Sequence, residues 1–133
     1  VREVAVDLEP DRAGPVQEAL RAAGFVTSGE APWARVVEAK EEETFEDAGR
    51  VVNRVLKGHV LGICGGTGPL LAALNLTPGE EPVEGPAVAT APEAPSFQIP
   101  EVWPVTGVGY ALYRAGEKCV ALAGRRGKGW VVY

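Results

Sequence analysis

Apolar and polar residues alternate over residues 2 to 8, with Val4, Val6 and Leu8 on one side and Glu3 and Asp7 on the other, which predicts a half-buried strand. Glu9-Pro10-Asp11 ends it, and Val16, Ala19, Leu20 and Ala23 then recur at the spacing of one helix face. The pattern starts this helix at Asp11 or Gly14, because Pro15 fits only a first turn, and stops it at Gly24. Phe25 to Thr27 reads as a short extended piece ended by Ser28-Gly29. Trp33 to Ala39 reads as a fuller strand with Trp33, Arg35, Val37 and Ala39 on one face, and the two extended pieces are expected to pair as a hairpin. Lys40 and the glutamates at 41 to 43 form a solvated corner.

Thr44 to Leu56 carries a continuous helical stripe of Phe45, Ala48, Val51, Val52, Val55 and Leu56. Thr44 with Asp47 three residues on matches a capping box, and Gly58 closes the far end. The stretch Gly58 to Leu74 then predicts a buried strand, a glycine turn carrying Cys64, and a short apolar helix. From Thr77 to Pro104 the character changes. Seven prolines fall in that span, and each removes a donor that a central ladder would need. The expectation there is a long wrapped connection with one edge strand at Ala87 to Thr90. The C-terminus predicts an antiparallel meander of Val105 to Arg114, Lys118 to Ala123 and Gly129 to Tyr133, turning at 115–117 and 124–128.

Together these elements predict an α+β fold in one domain over residues 1–133. It has a mixed sheet, two main helices, one short helix and the C-terminal meander. The composition, 46% hydrophobic and 23% charged over 133 residues, is that of a chain able to bury its own core. Acidic residues punctuate the N-terminal segment and no apolar run is long enough to cross a bilayer, so a cytoplasmic protein without membrane partners is expected. A formal charge of −5 argues against nucleic acid as a partner, even with Arg125, Arg126 and Lys128 beside Trp130 and Tyr133. The absence of Met, the scarcity of Asn and Gln, and the many prolines suggest a thermophile. In these respects the chain resembles small proteins of Thermus-type thermophiles, a group with no established activity.

Candidate chemistry concentrates in the glycine turn. Cys64 and Cys119 are too few for a disulfide framework, and with His59 as the one histidine no zinc site is expected; no cofactor or metal is implied. Gly62-Ile63-Cys64-Gly65-Gly66 has the G-x-C-x-G form of a nucleophile elbow, whose small flanking residues allow a sharp strand-to-helix turn. In this stretch the chain resembles the class I glutamine amidotransferases, which implies Cys64 as a catalytic nucleophile. The resemblance also implies a histidine and an acidic residue near the C-terminus, and no histidine follows His59. His59 lies five residues before Cys64, roughly 16 Å along a strand and on the opposite face, so the two cannot form a dyad within one chain.

Gly65, Gly66, Thr67 and Gly68 offer a second reading, in which backbone donors at a helix start bind an anion. The Lys-Ser/Thr of a P-loop and the third glycine of a dinucleotide fingerprint are absent. The bland alternative is that the glycines let strand and helix pack closely, with Thr67 as N-cap. Three functions therefore stand. The first is a domain binding a small anionic ligand, or regulated by one, through 65–68. The second is a thiol enzyme using Cys64, with its triad incomplete in the chain. The third is a structural protein that self-associates into a homo-oligomer through the proline-rich wrap and its aromatics.

Overall fold

The computed structural model describes residues 3–27 and 32–133. Strand β1 (Val4–Asp7) leads into helix α1 (Pro10–Ala22), strand β2 (Ala34–Ala39), helix α2 (Phe45–Leu56), strand β3 (Val60–Gly66) and the short helix α3 (Pro69–Ala73). The rest is strand: β4 (Leu76–Pro78), β5 (Val83–Ala89), β6 (Phe97–Val102), β7 (Val105–Gly107), β8 (Tyr110–Ala115), β9 (Lys118–Arg126) and β10 (Gly129–Val132). Eight strands form one mixed sheet in the order β1-β2-β3-β10-β9-β8-β5-β6, and β4 pairs with β7 beside it. The expected mixed sheet with two main helices and one short one is present, with more strand than the sequence pattern implies.

The strand β3 lies inside the parallel part of the sheet, flanked by β2 and β10, both parallel to it. Leu61 and Ile63 point to one face and are buried at 2% and 5% exposure. With Val131 of β10 they meet Ala48 and Val55 of α2, Leu70 and Leu71 of α3 and its C-cap Leu74 in a single apolar cluster. Burial of each large side chain in such a cluster is worth about 1.5–3 kcal/mol before entropy. The helix α2 starts as its sequence predicts, the Thr44 hydroxyl accepting the Asp47 N–H at 3.1 Å. Its apolar stripe is narrower than expected, however, because Phe45 and Leu56 at the two ends are 80% and 44% exposed.

Several expectations are corrected. The helix α1 begins at Pro10, not at Asp11 or Gly14, so Pro15 lies inside it. Pro10 takes the first-turn position where a missing N–H costs nothing. Its C-terminus is held as the pattern suggests, with Gly24 N–H donating to Arg21 O and Phe25 N–H to Leu20 O. No hairpin joins Phe25–Thr27 to β2. Val26 bridges Glu3 in parallel, and both edges of β2 are taken by β1 and β3. Ser28 and Gly29 of the expected turn lie outside the described residues.

The proline-rich stretch is also more ordered than a wrap with one edge strand. It holds β4, β5 and β6, with Pro86 inside β5 and Pro100 inside β6. Both prolines escape the usual exclusion for the same reason. The strand β6 is the outer edge of the sheet, and β5 meets β8 only at Val88 and Ala89, beyond Pro86. A proline whose nitrogen faces an unpaired side removes no ladder bond. In the meander, the first expected strand splits into β7 and β8, and β9 runs on to Arg126, leaving the turn at 127–128. Arg126 links this region to the core side, donating from Nε to Leu74 O at 3.0 Å and from Nη1 to Val108 O at 2.9 Å.

The carboxyl ends of β2 and β3 touch where Gly66 and Gly68 stand. A β-carbon on Gly66 would collide with the Ala39 carbonyl, and one on Gly68 with the Lys40 carbonyl. Both residues also hold positive φ, +93° and +125°. By contrast Gly65, at φ +77°, has nothing within 4 Å of its β-carbon position. Gly66→Ala should therefore lower unfolding stability by about 3 kcal/mol, and Gly65→Ala by only about 1 kcal/mol, as read from urea denaturation midpoints.

Candidate functional site

The residues singled out in the sequence do not make an elbow. Cys64 lies within β3, two positions before its end, and α3 does not begin until Pro69. A nucleophile elbow needs the nucleophile at the apex of the strand-to-helix turn, and that apex is Thr67-Gly68. The N-cap of α3 is Gly68, not Thr67, whose hydroxyl instead donates to Glu41 Oε1 at 2.9 Å. His59 precedes β3 at its opposite end, where its carbonyl accepts the Trp130 N–H.

A cleft of about 440 Å³ opens at the carboxyl end of β3. Ile63, Cys64, Gly65 and Gly66 form its floor, Tyr133 and Val120 one wall, and Glu101 and Val102 at the end of β6, with Trp103 just after it, another. The first turn of α1 supplies Arg12. Its guanidinium donates to the Cys64 carbonyl at 2.8 Å and pairs with Glu38 of β2 at 2.7 Å. Of the five donors of a guanidinium, two are used by these bonds, and the others remain for a ligand. Trp103 is 47% exposed, so its indole is open for stacking. The Glu101 carboxylate is exposed and makes no ion pair among the described residues.

The thiol of Cys64 is not activated here. Burial pushes its pKa up, Glu38 adds to the rise, and Arg12 only partly opposes it. Burial likewise raises the Tyr133 phenol. Both groups stay protonated at neutral pH and act as neutral donors or apolar contacts. Cys119, elsewhere on β9, is also pushed up by burial, and its thiol donates to Ala121 O at 3.2 Å. Among the described residues, no group of His, Cys, Asp and Glu could hold a metal ion.

On the other side of the glycine turn lies a hollow of about 430 Å³, which Glu38 and Gly66 share with the cleft. Glu9, Glu41, Glu42, Lys40 and Thr67 complete it, so it is strongly acidic. The candidate residues thus divide between two environments. Cys64 and Gly65 face the cleft, Gly66 borders both, and Thr67 faces the carboxylates. Gly68 lines neither and lies against the backbone of Lys40 and Glu41. Arg12, Glu38, Glu101, Trp103 and Tyr133 were not marked as site residues by sequence pattern. They come from four separate segments that only the tertiary fold assembles.

No family model matches the chain. No curated protein matches it either. Among solved structures, a β-galactosidase from Rahnella sp. R3 superposes on 100% of this chain with a TM-score of 0.72 at 13% identity. A β-galactosidase from Bacillus circulans sp. alkalophilus covers 99% with a TM-score of 0.71 at 14% identity. In each case the match spans 28% of the larger chain, well under a third of it. At this identity the likeness establishes the fold: the arrangement of strands and helices in this chain also occurs as one portion of those longer proteins.

Proposed function

We propose that the protein is a small-ligand-binding domain whose site is the cleft at the carboxyl end of β3, and that it binds without covalent chemistry. The observation that carries this reading is the convergence of Arg12, Glu101, Trp103, Tyr133 and the open backbone of Gly65 on one hollow of about 440 Å³, within the range of small-molecule sites. Crevices outside the carboxyl ends of parallel strands are where open sheets with helices commonly hold ligands.

The charges refine the anionic reading. Arg12 is the cleft's one cation, and Glu38 and Glu101 are its carboxylates, so the lining is more negative than positive. A multiply charged anion such as phosphate meets net repulsion there, and more of it on the Thr67 side. A ligand with one carboxylate for the spare Arg12 donors and one cationic group for Glu101 meets complementary charge at both ends. An amino-acid-sized zwitterion is the class that fits. The thiol-enzyme reading loses ground because the cleft holds no histidine to serve as base for Cys64 and burial favours the protonated thiol.

Two measurements test this. In a thermal-shift and calorimetric panel of α-amino acids, dicarboxylates and inorganic phosphate, a zwitterionic amino acid should raise the melting temperature. Arg12→Ala should weaken that binding at least about tenfold, the usual scale for a charge-assisted contact, while Cys64→Ala leaves it intact. A panel in which phosphate alone stabilises the protein would return the site to the backbone of the glycine turn, and one in which nothing binds would contradict both. Thiol labelling by a disulfide reagent at pH 7.5 should be at least about tenfold slower for folded than for urea-unfolded protein, and should accelerate as the pH passes 9. Rapid labelling of Cys64 at neutral pH would reinstate the nucleophile.

A further inference from the structure

The two ends of α2 carry opposite charge that the chain neutralises only in part, Arg50 pairing with Glu46 and Asp47 near the amino end while Glu41, Glu42 and Glu43 form no ion pair among the described residues. At its carboxyl end the fold collects cations from two remote segments. Lys128 N–H donates to Leu56 O and Trp130 N–H to His59 O, so the β9–β10 turn sits directly on the end of α2. Arg125 pairs in register with Trp130. Arg54, Lys57, Arg125 and Lys128 are all exposed, and none forms an ion pair among the described residues. At the amino end, Glu41, Glu42 and Glu43 precede Glu46 and Asp47, with only Lys40 and Arg50 of opposite sign between residues 40 and 50.

The helix dipole accounts for part of this pattern, since it favours acids at the start of α2 and Arg54 in its last turn. It does not account for Arg125 and Lys128, which belong to another element, nor for the run that precedes the helix. Nor can the two ends compensate each other through the molecule. The 12 residues of α2 separate them by about 18 Å, nearly twice the ~10 Å screening length at 0.1 M salt.

Each end also exposes apolar surface at its centre. Leu56 is 44% exposed at the basic end, and Phe45 is 80% exposed among the acids. An apolar anchor ringed by charge is the anatomy of a specific protein interface, and here the two surfaces match each other in sign and in character. We infer that a second copy of this chain docks head to tail, its acidic end around Phe45 seated on the basic end around Leu56 and the β9–β10 turn. Such a contact is heterologous, so repetition builds a closed ring or an open chain rather than a two-fold dimer. This assembly uses none of the residues of the β3 cleft and stands apart from the proposed ligand.

Sedimentation velocity on the full chain tests the inference. In about 0.02 M salt the weight-average mass of the wild type should rise with protein concentration, and in about 0.5 M salt it should fall back to the monomer as the charges are screened. Arg125→Glu with Lys128→Glu, and separately Glu42→Lys with Glu46→Lys, should each abolish association at low salt. An equimolar mixture of the two variants should restore it, because every contact then again joins opposite signs. Phe45→Ser, at a site too exposed to matter for folding, should weaken association at least about tenfold, with circular dichroism confirming an unchanged fold. A wild type that stays monomeric at low salt overturns the inference, as do charge-reversed variants that associate normally or a mixture that does not. Binding of a single-stranded oligonucleotide to a monomeric wild type would assign the basic end to nucleic acid instead and equally overturn it.

Discussion

The carboxyl end of β3 lies against the carboxyl end of β2 because residues 66 and 68 have no side chains. With any β-carbon at either position, the backbone would meet the carbonyl of Ala39 or Lys40. That close approach brings Glu38 and the Cys64 carbonyl within reach of one Arg12 guanidinium, which joins β2, β3 and α1. It also leads the chain into α3, whose Leu70 and Leu71, with the C-cap Leu74, are each 1% exposed and complete the cluster over α2. The cleft beside Cys64 is the space left open where this contact ends.

A second constraint comes from the last strand. Because β10 pairs in parallel with β3 and antiparallel with β9, it joins the helix-bearing part of the sheet to the meander. Val131, fully buried, meets Leu61 across this seam. The same pairing sets Tyr133 at the mouth of the cleft and the β9–β10 turn on the end of α2. The cleft and the basic end are thus two consequences of one strand placement, at opposite ends of the parallel strands. Cys64 stands at the centre of the sequence motif. It is a half-buried residue of β3 whose carbonyl, not its sulfur, makes the connection to Arg12.

What was legible in the sequence was local. The helix α2 could be read from Thr44, Asp47 and Gly58, because capping and stopping are properties of a few adjacent residues. The end of α1 at Gly24 and the strand preceding the glycine turn could be read for the same reason. Strand partners could not, since pairing is a long-range choice. Phe25–Thr27 is adjacent to β2 in sequence, yet β2 pairs with β1 and β3, and Val26 bridges Glu3. Prolines misled in β5 and β6, where the deciding fact is which edge of the strand is unpaired, and no sequence window carries that. The floor of the cleft was visible as Cys64 and the glycines. Its polar walls were not, because nothing in the local pattern separates Arg12 from Arg21 on the same helix, or Trp103 from the other exposed aromatics.

Ligand binding, as proposed, belongs to the cleft side of the glycine turn and not to its acidic side. Amide chemical-shift mapping of the isotope-labelled protein, titrated with the amino acid that stabilises it most, tests this residue by residue. The largest perturbations should fall on Gly65, Gly66, Val102 and the Trp103 indole N–H, with Thr67 and Glu41 little affected. Perturbations centred on Lys40 to Glu42 and Thr67, or scattered over the surface without a focus at Gly65, would contradict it.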